Sequence, residues 1–274
     1  KGVVETRSQY PDAKFFTDYR EMFEKMGDKV DAVIVSTPDH HHFHASAMAM
    51  ERGKHVYCQK PLSHSVWEAR LMAETAAERG LVTQMGNQGS ASESLRRCTE
   101  IIRAGAVGPI REIYQWGIGV TAREGSAEGE DPLPQGFNWD LWVGPSAMRP
   151  FKKEVYHPFR WRGWFDFGNG GLADFCCHAI NLPMRALDLG YPEKIVVNMQ
   201  DGKQMADKAA VEFHFPARGN LLPVTLYWQG SGTPPAEVLQ PLADVYGDKV
   251  PNGVLILGEK GCIHTSHWNT GGKI

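Results

Sequence analysis

Strand and helix signals alternate without interruption from Thr17 to Gln88. "TDYREMFEKMG" carries Tyr19, Met22, Phe23 and Met26 at helical spacing and stops on Gly27. "VDAVIVST" is a short β-branched run with no polar face, the pattern of a buried strand. "HASAMAMERG" is helical, "KHVYCQKP" is a second strand, "SVWEARLMAETAAERG" a helix with Ser65 as N-cap, and "LVTQMGNQ" a third strand. Such alternation requires parallel strands joined by right-handed crossovers, and so predicts a doubly wound sheet. Ligands of these sheets bind beyond the carboxyl ends of the strands. Three strand ends, "STPDHHH", "CQKPL" and "GNQG", are therefore expected to meet at one crevice. The glycine-rich GxGxxG phosphate loop is missing, and the chain opens on Lys1 and closes on "NTGGKI". It reads as a piece of a longer protein; if the fold is of the dinucleotide-binding kind, the phosphate loop belongs to the segment before Lys1.

From about Ser92 the texture changes. A helix, "SESLRRCTEIIRAG", leads into the strands "IREIYQWGIG", "KIVVNMQ", "AAVEFHFPA", "PVTLYWQG" and "GVLILGEKG". In "VEFHF" the residues Val211, Phe213 and Phe215 face one way and Glu212 and His214 the other, as on a half-exposed sheet. Strands in succession without intervening helices predict a mainly antiparallel sheet. Between the first and second of these strands runs a tryptophan-rich irregular segment, about Thr121 to Gly171. Its length points to function and its aromatic content to order. No internal repeat is present.

A net charge of −3, from 29 basic and 32 acidic residues without a basic tract, argues against a nucleic-acid partner. No apolar run approaches the roughly 18 residues needed to cross a bilayer. The five cysteines are odd in number and form no CxxC pair, which argues against a disulfide framework or a structural zinc site.

Two stretches carry chemistry. Lys60 stands immediately beyond a strand end and is followed by Pro61; Asp174 and His178 are spaced i, i+4 in "GGLADFCCHAIN", so a helix there presents both from one face. A lysine at a crevice with an aspartate–histidine pair suits oxidation of an alcohol. The imidazole accepts the hydroxyl proton, the ammonium stabilises the alkoxide, and the aspartate supplies charge or a hydrogen bond to substrate. "STPDHHHFH" packs four histidines into five positions. A metal needs three convergent ligands, and adjacent side chains on a helix diverge, so no metal is expected there. His41 and His44 read as solvated.

The ordered set "TPDHxH", a strand ending in "KP", "GNQG", "NWDLWVGP" and "WRGWFDFGNGGLADFCCH" resembles the Gfo/Idh/MocA family of nicotinamide-dependent oxidoreductases, from about Tyr10 to Leu189. The resemblance implies Lys60, Asp174 and His178 as catalytic residues, with His178 the proton acceptor. It places NAD, or NADP, against Thr37, Pro38, His40, His42, Gln59, Lys60, Pro61, Asn87, Gln88, Trp161 and Arg162. Substrate is expected at Lys60, Tyr156, His157, Arg162, Asp174 and His178. Two positions depart from the family pattern: Gln59 replaces the glutamate before the lysine, and Asn181 an aspartate common in relatives three residues after the histidine.

The implied fold is α/β: a Rossmann-type parallel sheet truncated at its N-terminus (1–90, the remainder of the NAD(P)-binding domain), then an α+β substrate-binding and oligomerisation domain (91–274) with a large open-faced, mainly antiparallel sheet. An uncovered apolar sheet face implies a homodimer or homotetramer. The expected activity is NAD(P)-dependent oxidation of a secondary hydroxyl of a sugar, glycoside or polyol. Similar proteins suggest a redox-neutral glycosidase as the alternative, acting by transient C3 oxidation and elimination, and a non-catalytic nucleotide- or sugar-binding relative as the lesser one. Free cysteines suit the cytoplasm, while similar proteins are also exported folded, so the compartment stays open.

Overall fold

The computed structural model describes residues 2–119, 123–198, 210–247 and 249–273. The expected loop start at Thr121, the strand residues Met199, Gln200 and Ala209, and the chain ends Lys1 and Ile274 lie outside the described residues.

The N-terminal half runs α1 (Gly2–Gln9), α2 (Tyr19–Met26), β1 (Ala32–Val35), α3 (Asp39–Glu51), β2 (His55–Gln59), α4 (Val66–Glu78) and β3 (Thr83–Gly86). Strands β1–β2–β3 pair in parallel, in sequence order. Local chemistry fixes the helix starts. Asp18 accepts from the Arg20 N–H to cap α2, and Ser65 and Glu68 form a reciprocal capping box on α4, worth about 1 kcal/mol. One face of the sheet (Val35, Val56, Cys58) packs on Phe23, Ala45, Ala49, Met50 and Met72 from the helices.

The other face corrects the reading of β1 as a strand without a polar or exposed side. Ala32 is exposed and Ile34 is 73% exposed, because no helix among the described residues covers that face. An uncovered isoleucine forgoes about 1.5–3 kcal/mol of burial.

The chain continues through α5 (Glu93–Arg103), β4 (Ile110–Trp116), α6 (Trp139–Val143), α7 (Gly170–Ala179), α8 (Asn181–Leu187), β5 (Lys194–Asn198), β6 (Ala210–Phe215), β7 (Val224–Trp228), α9 (Ala236–Tyr246), β8 (Gly253–Gly258) and β9 (Gly261–Thr265). The second sheet has the order β5-β6-β7-β4-β8-β9, antiparallel throughout except for the β4–β7 pair. Its inner face (Ile113, Leu226, Ile256, Ile263) buries against Leu95 and Ile102 of α5 and Leu182 and Ala186 of α8.

Two features differ from the expected succession of bare strands. "GVLILGEKG" is a strand plus a turn, from which β9 returns as a hairpin. Helix α9 intervenes between β7 and β8 and lays Leu242, with Val238 and Leu239, over Tyr114, Trp116 and Leu255. The apolar part of the outer face is thereby covered. The rest of that face, toward β5, carries Lys194, Glu212 and His214. Pro241 inside α9 and the Pro234-Pro235 pair ahead of it hide this helix from a sequence reading.

The tryptophan-rich segment has its own core: Trp139, Phe151, Tyr156, Trp161, Trp164 and Phe167 pack together. Aromatic burial therefore orders this long irregular stretch.

Candidate active site

Three parallel strands end side by side, and α7 lies across their carboxyl ends. From the β2 end, the Lys60 ammonium donates to the Asp174 carbonyl at 2.7 Å and pairs with the Asp174 carboxylate. Arg162 adds a second cation, with Nε 3.6 Å from the same carboxylate oxygen. Just past the β3 end, Asn87 reaches α7 with both ends of its amide. Its Nδ2 lies 2.6 Å from the Cys177 carbonyl, and its Oδ1 lies 2.8 Å from His178 Nδ1. His178 Nε2 is buried without a partner. Burial, and then the Lys60 charge, push the His178 pKa down to about 4, so the ring is a neutral imidazole at pH 7. The spacing i, i+4 in α7 thus delivers Asp174 to the β2 end and His178 to the β3 end.

The histidine cluster is not solvated. His40 sets Nδ1 3.2 Å from the Phe167 carbonyl and Nε2 3.0 Å from the Trp142 carbonyl, and His41 Nε2 lies 2.8 Å from that same Trp142 oxygen. His42 stands between the Thr37 and Pro61 carbonyls, at 2.7 and 2.6 Å. A neutral imidazole has one N–H, so one carbonyl of each pair accepts. These rings tie the strand ends to one another and to the aromatic segment. The expectation that His41 is solvated is corrected by its burial, which Gly144 permits: a Cβ there would lie 2.1 Å from the His41 ring.

The remaining expected residues divide. Thr37 is exposed and Pro38 half-buried at the β1 end, beside Pro61 through His42. Gln59 accepts from Gln88 Nε2 at 3.0 Å, so the two glutamines bridge the β2 and β3 ends. Gly86 makes room for them, since a Cβ there would meet Gln59 at 2.6 Å. Asn181 begins α8 and donates to Ser90. Trp161 is buried in the aromatic core with the Arg162 guanidinium 4.3 Å from its ring centroid.

Tyr156, expected at substrate, is a core residue. It is fully buried, its hydroxyl accepts from the Ala127 N–H at 2.8 Å, and its ring packs on Trp164. Every surface it has is spent on this packing. His157 is exposed, against Phe137 at the rim of the same segment.

Two residues enter the site unannounced by the sequence reading. Trp268, in the turn after β9, places its ring 4.1 Å from the His178 ring and stays 46% exposed. Asn269 anchors that turn by accepting from the Leu182 N–H and donating to the Ala179 carbonyl.

The other is Asp39, the first residue of α3, 2% exposed, which accepts from the Asn169 N–H at 3.3 Å. Burial, then repulsion from Asp174, raise its pKa to about 7, while Lys60 opposes the rise. The folded protein therefore keeps the Asp39 proton across a range, about pH 4–7, in which the unfolded chain has released it. Stability falls as pH rises through that range. Asp39→Asn imitates the protonated form, so its unfolding midpoint is expected to exceed wild type above pH 7 and to equal it near pH 4. Thermal melts across that range check this; a pH-independent difference would contradict it.

Residues 4–87 match the family model described as "Oxidoreductase family, NAD-binding Rossmann fold", and residues 112–214 the one described as "Oxidoreductase family, C-terminal alpha/beta domain". The chain belongs to the Gfo/Idh/MocA family. It is 32% identical over 117 residues to a D-xylose 1-dehydrogenase (NADP(+)) of Hypocrea jecorina, covering 42% of this chain and 29% of that protein. It is 27% identical over 106 residues to a 2,7-anhydro-N-acetylneuraminate hydratase of Mediterraneibacter gnavus, covering 39% and 28%. The fold is similar to that of the WlbA dehydrogenase from Bordetella pertussis, solved with NADH and UDP-GlcNAcA. The TM-score is 0.65 at 15% identity, over 99% of this chain and 65% of that one. The chain thus spans under a third of these two curated relatives and about two thirds of that structure.

Proposed function

We propose that this Gfo/Idh/MocA protein oxidises a secondary hydroxyl of a sugar, glycoside or polyol with NAD or NADP. Residues 1–90 serve the cofactor and 91–274 the substrate. The observation that carries the reading is that α7 holds both a buried His178 Nε2 without a partner and the Asp174 that binds the Lys60 ammonium, at the carboxyl ends of the parallel strands. A bound nicotinamide supplies the hydride acceptor, and a lone pair, a cation and an aromatic wall beside three strand ends suit that cofactor. Thr37, Pro38, Gln59, Lys60 and Gln88 line the edge where it would lie, with Pro61 and Asn87 buried behind them.

The chain's own chemistry is then simple. His178 Nε2 takes the hydroxyl proton as a neutral base. Lys60, oriented by Asp174, stabilises the developing oxyanion. Arg162 balances the buried carboxylate, and Trp268 offers an exposed apolar ring face to a sugar.

A redox-neutral outcome is the second reading, favoured by the similarity to a protein named a hydratase. There the same base and cation would act in a transient oxidation followed by elimination and re-reduction. Incubation of the protein with aldoses, polyols and glycosides and either nicotinamide cofactor tests both. Reduced cofactor with a product two hydrogens lighter is expected. Cleaved or hydrated product without reduced cofactor would move the assignment to the second reading, and unchanged substrates with no bound cofactor would overturn both.

A further inference from the structure

We propose that Asn87 is the positioning residue that sets the tautomer of His178, holding the ring proton on Nδ1 and leaving the Nε2 lone pair as the proton acceptor. The inference deepens the oxidoreductase reading and rests on it for its consequence, though not for its geometry.

A backbone carbonyl only accepts, so the amide end 2.6 Å from the Cys177 oxygen must be the NH2 group. The opposite orientation would set two acceptor oxygens against each other in a site where Asn87 is only 5% exposed. The end facing His178 Nδ1 at 2.8 Å is therefore the amide oxygen, which carries no proton. Nδ1 must supply one. A neutral ring holds a single N–H, so Nε2 keeps its lone pair, and it is this nitrogen that is buried and without a partner. Cys177 and His178 are consecutive in α7, so one side chain from the end of β3 grips a single helical turn at two points.

The choice of asparagine has a consequence of its own. The charged groups that bear on His178 are Lys60 and Asp174, while Asn87, Phe175 and Trp268 meet the ring as neutral groups. A neutral acceptor fixes the tautomer while stabilising the imidazolium far less than a carboxylate in its place would. The arrangement gives a base that is oriented yet uncharged well below neutral pH.

Long-range proton–nitrogen NMR on the 15N-histidine-labelled protein, with His178 assigned by its disappearance in His178→Gln, reads the tautomer without substrate or cofactor. A protonated Nδ1 and an unprotonated Nε2 at pH 7 are expected; the reverse overturns the proposal whatever the fate of the variants. In Asn87→Asp the same tautomer should persist with the imidazole pKa at least one unit higher, and the acid limb of kcat/KM should move with it. In Asn87→Leu the signals should shift toward the Nε2–H form. A leucine variant that keeps pure Nδ1–H, or an aspartate variant with an unmoved pKa, would remove Asn87 from the role. If the leucine variant does not fold, wild type and the aspartate variant decide. The oxidoreductase reading fails separately: wild type would then show the predicted tautomer while His178→Gln still turned over.

Discussion

His178→Gln is expected to lower kcat by about three orders of magnitude while leaving nicotinamide affinity within about twofold. A positioned base contributes roughly 10²–10⁴ to rate, and His178 Nε2 is a buried ring nitrogen without a partner that feels the Lys60 charge. Glutamine keeps a polar group beside Asn87, so the fold should hold and the loss should be chemical. Single-turnover hydride transfer, compared with calorimetric cofactor binding, separates the two. The wild-type pH profile carries a second signature. Because burial and Lys60 hold the imidazole near pKa 4 rather than its ordinary 6.5, the acid limb should fall near pH 4. The same depression ties stability to pH: what the neutral ring contributes is present above pH 6.5 and is lost as pH falls through about 4. A variant that retains wild-type turnover would exclude His178 as the base.

The parallel sheet was legible because each strand is short and closed by glycine or proline, β1 is β-branched as well, and each helix carries its own stop. The α7 pair was legible because i, i+4 spacing has one geometric meaning. What the sequence hid is non-local. Asp39 looks like any acidic residue opening a helix, and only its burial beneath Asn169, near Asp174, turns it into a group that titrates near neutrality. Trp268 reaches His178 because Asn269 clamps a turn onto the α7–α8 junction nearly 90 residues away in sequence, and no local pattern encodes that contact. Tyr156 was misplaced for the converse reason: a Tyr-His pair in a functional loop reads as exposed, yet the loop folds around the tyrosine. The histidine run was ambiguous until the carbonyls of Thr37, Pro61, Trp142 and Phe167, which lie far apart along the chain, converged on three rings.

Lys60→Met should be costly twice over. Removing the ammonium deletes the group that meets a developing oxyanion, which is worth about 10²–10³ in kcat. It also leaves the Asp174 carboxylate, whose side chain is 6% exposed, with only Arg162 at 3.6 Å. Breaking a buried pair costs about 3–5 kcal/mol; the Lys60 side chain is 16% exposed, which argues for the lower end. The loss of a charge depends on pH in a way that the loss of packing does not. Lys60 is also the first of the cations holding down the Asp39 carboxyl, so its loss lets Asp39 keep its proton to still higher pH. The stability deficit should then be large at pH 8, where the unfolded chain has ionised both carboxyls, and small near pH 4. Adding Asp174→Asn removes the stranded charge, so the double variant should recover most of the stability at pH 8 while its turnover stays as low as that of Lys60→Met. Denaturant unfolding at the two pH values and turnover of the three proteins test the pair. A deficit that is equal at both pH values, or that the second substitution leaves unrelieved, would mean that Lys60 holds this site through its methylene stem and not through its charge.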